Sequence, residues 1–305
     1  MPNAHTANPA DFKVIAYFYP HGIHSVAEVE RIQFAKLTHI NYSFVNPDAE
    51  GNLTQPDPDV LNALVKLAHA QGVKVGLAVG GWNDGITTPF ETMAASPVAR
   101  GRFVSGLAAM VDRYRLDGVD MDWEYPNARS SRDFTLMMRE LRSMLQPRGK
   151  MLTAAVIAMD DEHGHGGQFS PEVFPLIDVL NIMAYDWQYT RDGGRQHSSY
   201  EDAERSLDYW LKRGCPREKA VLGVPFYGRM PPVTYKELIA RDRGAAQRDA
   251  VGTIFYNGQP TLRRKTELAW RKGGGIMFWE ISQDTSDDTS LLTAIDGALR
   301  ELKGK

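Results

Sequence analysis

In the segment "LDGVDMDWEYP" (residues 116–126), Asp120, Asp122 and Glu124 alternate with Met121 and Trp123. The apolar members read as a strand, and a strand is a poor place for acids. Side chains at i, i+2 and i+4 share one strand face. The three carboxyls are therefore stacked along one line, roughly 6.6 Å apart at ~3.3 Å rise per residue. Three chemistries would tolerate such a row. A structural ion network needs buried cations, but the inward basic residues on strands are Lys13 and Lys74, both near strand starts. A Mg²⁺ site for phosphoryl chemistry would come with a phosphate cradle, and none is seen. The loop "DDEHGHGG" (residues 160–167) carries His163 and His165, but no full ligand set at metal spacing appears, so no metal and no cofactor is expected. The third chemistry is general acid catalysis. Neighbouring negative charge and an apolar wall raise the pKa of Glu124 and keep it protonated near neutral pH. Asp120, beneath Asp122, can share its proton, so the row need not carry three charges. Asp117 falls on the opposite strand face and reads as structural.

The elements that hold this row alternate. Short apolar runs at 13–20, 37–45, 73–81, 116–126, 151–158, 179–187, 220–228 and 274–282 read as strands. Between them run amphipathic helices with apolar residues three and four apart, at 25–35, 58–71, 97–114, 131–145 and 200–213, with a closing helix around Leu291–Leu302. Strictly alternating strands and helices predict a parallel sheet. Eight such units in this length predict a (β/α)8 TIM barrel, whose reacting groups sit at the C-terminal ends of the strands. Glu124, last in the row, is then nearest the mouth. The rival, a doubly wound open sheet, lacks its glycine-rich fingerprint after the first strand. One domain over 1–305 is expected, with 1–12 a flexible extension.

Composition narrows the classes further. A formal net charge of −3 over 305 residues offers no long-range pull on nucleic acid or an anionic membrane. No apolar run approaches membrane-spanning length. The one cysteine, Cys215, excludes an internal disulfide and reads as a structural thiol. The start "MPNAHTANPADFK" has no basic stretch followed by an apolar one. The chain is cytoplasmic by that reading, or extracellular if a signal was removed or export is non-classical.

"DGVDMDWE" resembles the D-x-x-D-x-D-x-E signature of the family 18 glycoside hydrolases, the chitinases and their relatives. Four further segments resemble that family in the expected order: "AVGGW" (78–82), with Ala78 where the pattern has serine; "MAYDW" (183–187); "FYGR" (226–229); and "GGIMFWEIS" (274–282). The resemblance spans nearly the whole chain. It implies cleavage of β-1,4-linked N-acetylglucosamine polymers with the substrate's own acetamido oxygen as nucleophile, a departure from the usual two-carboxyl scheme. In that scheme Glu124 is the acid and then the base, Asp122 supports the acetamido N–H and the cationic intermediate, and Asp120 holds the proton or orientation of Asp122. Tyr185 orients the acetamido carbonyl, Asp186 binds a sugar hydroxyl, and Trp279 forms an apolar floor. Trp82, Trp187, Tyr189 and Tyr227 are candidate sugar platforms. Met183, Tyr17 and Phe44 join them on the substrate side, and Gly80 and Gly81 let the backbone turn close beside it. Trp123, Trp210 and Trp270 read as core.

The resemblance also implies non-proline cis peptides at Ser43–Phe44 and Trp279–Glu280. The interval 229–273 is too short for the α/β domain that many family members insert there. It has room for a helix and a hairpin turning at Asn257–Gly258, which suggests a shallower groove and endo-acting cleavage. The expected partners are chitin or N-acetylglucosamine oligosaccharides, with no nucleic acid, no membrane and a monomeric chain. An endo-β-N-acetylglucosaminidase on N-glycans or cell-wall glycans uses the same template. A non-catalytic sugar-binding relative typically loses the acid that Glu124 keeps, and a metal-dependent phosphohydrolase is the distant alternative.

Overall fold

The computed structural model describes residues 12–20, 25–82, 88–159, 164–186, 196–229 and 231–304. Eight strands, β1 (Lys13–Phe18), β2 (His39–Val45), β3 (Lys74–Gly80), β4 (Gly118–Asp122), β5 (Met151–Ile157), β6 (Val179–Met183), β7 (Ala220–Pro225) and β8 (Gly275–Trp279), close into one barrel. Every neighbouring pair is parallel, and β1 pairs with β8 to shut the ring. This is the (β/α)8 barrel expected from the alternation. Among the described residues, no helix is long and apolar enough to cross a membrane.

The two faces of each strand go to different cores. Ile15, Tyr17, Ala78, Ala155, Val179, Met183, Val221 and Met277 fill the barrel, and Phe44, Tyr125, Tyr185 and Trp279 pack on top of them. The alternate residues, such as Val14, Ala16, Val119, Met121 and Trp123, meet the helix shell. Trp123 is sandwiched by Phe90 (5.2 Å, stacked) and Phe134 (5.8 Å, edge-on), as its outward phase requires. Trp210 and Trp270 are buried in the shell too. Period-two alternation thus sets which side chains reach the site.

Helix Pro58–Ala70 starts at Asp57, whose side chain accepts from the amides of Asp59 and Val60, with Pro58 in the first turn. Helices Pro97–Tyr114 and Ser131–Leu145 match their sequence spans. The expected helix at 25–35 is shorter, Ser25–Glu30, followed by a 3₁₀ turn at Phe34–Lys36. A helix at Thr88–Ala95 has too weak an apolar stripe to stand out in the sequence. Asp117 is structural: its carboxylate accepts from the Val75 amide (2.8 Å) and meets the His69 ring (2.7 Å). Burial pushes the Cys215 thiol up to about 12, which suits a packing role.

Two expectations are corrected. The acidic strand ends at Asp122, so Glu124 stands two residues beyond the ladder. The hairpin between β7 and β8 pairs Ala250–Val251 with Ile254–Phe255, turning at left-handed Gly252 and not at Asn257–Gly258. Asn257 is instead buried, and Gly258 caps helix Gln259–Lys272. The rest of that interval holds helix Tyr235–Arg241 and a 3₁₀ turn at Arg243–Gln247. The Ser43–Phe44 and Trp279–Glu280 peptides are cis as expected, and Glu124–Tyr125 is cis as well.

Gly80 pairs with Asp122 across β3 and β4. It has φ +121°, and a Cβ there would lie 2.1 Å from the Asp122 carbonyl oxygen. Gly80→Ala is therefore expected to destabilise the fold by about 2 kcal/mol or more, since both backbone strain and a backbone clash oppose it. Chemical denaturation checks this; a change under about 0.5 kcal/mol would contradict the packing described.

Candidate active site

At the bottom of the acid row, Asp120 lies in register with Ala78 on β3 and Thr153 on β5. It is fully buried, which raises its pKa, but three neutral donors oppose the rise. The Tyr17 hydroxyl donates to Oδ2 at 2.5 Å. The Thr153 hydroxyl and the Asn181 amide (3.1 Å) both donate to Oδ1. Ala78 offers no hydroxyl, and Thr153 and Asn181 supply the donors from the next two strands.

One step up, Asp122 is also buried, and its Oδ1 has no hydrogen-bond partner among the described residues. Burial, then the charges of Glu124 and Asp120, drive its pKa well above the ordinary carboxylate value. Its neighbourhood therefore favours the protonated acid. The next backbone turn is tight. The Gly81 amide donates to the Asp122 carbonyl (2.8 Å), and a Cβ on Gly81 would lie 2.5 Å from the Phe44 ring.

Glu124 follows at the mouth. Burial lifts its pKa to about 7; a hydrogen bond from the Tyr125 hydroxyl opposes the rise and the charge of Asp186 adds to it. Asp186 lies just past β6 with a left-handed φ of 59°, a conformation aspartate tolerates better than most residues. It accepts from the Tyr227 hydroxyl (2.9 Å) and from Arg229 Nε (2.9 Å) and Nη2, and its Oδ1 lies 2.8 Å from His197 Nδ1. Burial alone would raise its pKa, but His197 and Arg229 outweigh that and hold it well below the usual carboxylate range. Asp186 is thus a fixed anion, whereas Glu124 can hold a proton at neutral pH.

Aromatic side chains line the same opening. Trp279, at the end of β8, stacks on Phe44 (5.4 Å, 16°) and leans on Tyr17 (5.7 Å) and Tyr19 (6.2 Å). Tyr185 meets Tyr227 edge-on at 6.2 Å, and its hydroxyl reaches Met277 Sδ at 4.0 Å. Met183 belongs to the apolar plug below them. Trp82 is 65% exposed, so its ring is presented to solvent. Trp187, Tyr189 and His163 lie outside the described residues. The His165 ring packs on Tyr125 (5.4 Å), and among the described residues no group of three or more His, Cys, Asp or Glu is arranged to hold a metal ion.

Four partners escaped the sequence reading. Thr153 and Asn181 occupy inward phases of strands two and one steps short of the mouth, so register alone would have flagged them once β4, β5 and β6 were aligned. Tyr125 follows the row directly. His197 lies eleven residues after Asp186 with no local pattern to mark it.

Residues 13–284 match the family model described as glycosyl hydrolases family 18. The chain belongs to this family. It is similar to a family 18 chitinase from the chitin utilization locus of Flavobacterium johnsoniae, with 32% identity, a TM-score of 0.86, and coverage of 96% of this chain and 95% of that one. Among curated relatives, "Probable chitinase 2" of Drosophila melanogaster is 33% identical over 74% of this chain and 45% of its own length. "Probable chitinase 10" of the same organism is 27% identical over 98% of this chain and 16% of its own length. The chain therefore spans less than half the length of these curated relatives.

The raised pKa of Glu124 has a thermodynamic consequence. Its folded pKa of about 7 exceeds the ordinary 4.5, so the folded state favours the protonated acid. That preference is fully present below pH 4.5 and is lost as the pH rises through 7. Wild type should thus lose stability relative to Glu124→Gln across this window, by on the order of 3 kcal/mol at ~1.4 kcal/mol per pK unit. Denaturant midpoints of both proteins at pH 4 and pH 8 check this; a pH-independent difference would contradict it.

Proposed function

We propose that this family 18 chain hydrolyses β-1,4-linked N-acetylglucosamine oligomers and polymers with retention, using the substrate's acetamido oxygen as the nucleophile. The observation that carries the reading is the contrast along the acid row. Glu124, with a pKa near 7, stands at the mouth above Asp122, which is buried, strongly raised and short of a partner. A proton donor poised near the working pH is what cleavage of a glycosidic bond needs. Glu124 protonates the leaving oxygen and then takes a proton from water. Once its proton has passed to Asp120 below, Asp122 turns its unpartnered oxygen to the acetamido N–H and supports the positive charge that develops on the ring formed by the attack. Asp120, held by Tyr17, Thr153 and Asn181, is fixed one step below on the same strand face to take that proton.

Tyr185, its hydroxyl pKa raised well above 10 by burial and by the nearby acids, stays protonated and donates to the acetamido carbonyl oxygen. Trp279 on Phe44 is the floor under the reacting sugar, with Met183 and Tyr17 packed beneath. Trp82, Gly81 and Tyr227 line the approach. Asp186 contributes chiefly as a fixed charge, since four donors already share its two oxygens, and only its remaining exposed edge meets a hydroxyl. The similarity to a chitinase of a chitin utilization locus favours chitin over N-glycans. With no inserted domain between β7 and β8, the groove suits endo-acting cleavage.

Glu124→Gln should lower kcat by ~10³-fold or more on a chitin oligomer while its Kd stays within a few-fold, because the donor acts in the transition state. Single-turnover kinetics and calorimetric binding check this; retained kcat would contradict the assignment. Wild type should leave cellulose oligomers, which lack the acetamide, and a high-mannose glycopeptide intact. An end-labelled oligomer should release products from both ends, and strict one-end release would count against the shallow groove.

A further inference from the structure

Lys265, on helix Gln259–Lys272 between β7 and β8, is fully buried, and among the described residues none of the oxygens bonded to it belongs to a carboxylate. Its Nζ lies 2.8 Å from the Ser198 carbonyl, 2.7 Å from Ser198 Oγ and 2.7 Å from Asn257 Oδ1. The direction of each bond is settled by its neighbours. The Ser198 hydroxyl proton is spent on the Ala184 carbonyl (2.6 Å), so Oγ can only accept from the lysine. The Asn257 amide nitrogen donates to the Ser198 carbonyl (2.9 Å), which turns Oδ1 toward Nζ as an acceptor. Three acceptors therefore meet three ammonium protons. Burial pulls the lysine pKa down to about 7, and Asp249, Asp202 and Glu201 counter it from farther away.

Ser198 joins two parts of the site. Through Ala184 it grips the end of β6, immediately before Tyr185 and Asp186. The preceding residue, His197, is fully buried, with Nδ1 2.8 Å from Asp186 and Nε2 3.3 Å from the Tyr227 carbonyl. We infer that Lys265 is a positioning residue for catalysis: its ammonium pins Ser198, and so fixes His197 against Asp186 and sets the charge that faces Glu124. This rests on the proposed glycosidase chemistry, and none of the three links touches substrate.

The test replaces Lys265 by Met, which keeps length and removes the three donors. In Lys265→Met the ring-nitrogen resonances of His197, read by ¹H–¹⁵N NMR, should move, and kcat on a chitin oligomer should fall about ten- to a hundredfold with KM changed less than threefold. In a His197→Ala background the same substitution should cause no further loss of kcat, whereas a merely structural lysine would leave kcat intact in both backgrounds below the melting range. If Lys265→Met does not fold, Ser198→Ala takes its place with the same readouts. Unmoved His197 resonances, or kcat within twofold of wild type, would overturn the inference. The NMR readout needs no activity, so a wild type inert on chitin oligomers would count against the proposed function while the lysine claim is still decided by the spectra.

Discussion

Stacking three carboxyls in a low-dielectric barrel is possible only if their charges are unequal. At close spacing two buried like charges cannot both be fully ionised without a compensating partner. The barrel answers differently at each level. Asp120 is surrounded by neutral donors from β1, β5 and β6, which stabilise a carboxylate without adding a cation. Among the described residues nothing gives such help at Asp122 Oδ1, and the Asp122 pKa climbs with burial and the charges of Glu124 and Asp120. Glu124 lies between the two regimes, partly relieved by Tyr125 and partly repelled by Asp186. The pattern follows from where the donors lie: Asp122 favours its protonated form, and the proton that exchanges near neutral pH sits on Glu124 at the mouth.

The neighbouring anion obeys the opposite rule. Asp186 is held ionised by His197 and Arg229 against the effect of burial, so it repels without competing for the proton. Four aromatic rings, Tyr17, Tyr19, Phe44 and Trp279, line the remaining wall, with Trp279 in contact with the other three. An aromatic face beside a poised acid suits a sugar ring, whose C–H edges are apolar and whose hydroxyls are not. Function and fold meet at one place because parallel strands deliver their last inward residues to the same end of the barrel.

Much of this is legible in the sequence. The alternation of strands and helices led to the barrel, since period-two and period-3.6 patterns are local properties. The acid row was legible because acids are out of place in a strand. Asp122 and Trp279 were legible through their motifs. What escaped was non-local. Thr153 and Asn181 matter only because register sets them beside Asp120, and His197 only because Lys265 and Asn257 hold its turn. The Asn257–Gly258 pair mimics a hairpin signal, yet burial of Asn257 and the cap at Gly258 overrode that local preference.

Glu124 holds a proton up to about neutral pH, whereas Asp186 does not. A carboxyl ¹³C titration of selectively labelled protein, with Glu124→Gln and Asp186→Asn used for assignment, tests it most directly. The Glu124 midpoint should lie near pH 7, and the Asp186 signal should stay ionised down to the lowest pH the fold survives. A Glu124 midpoint at the ordinary value of 4.5 would contradict it.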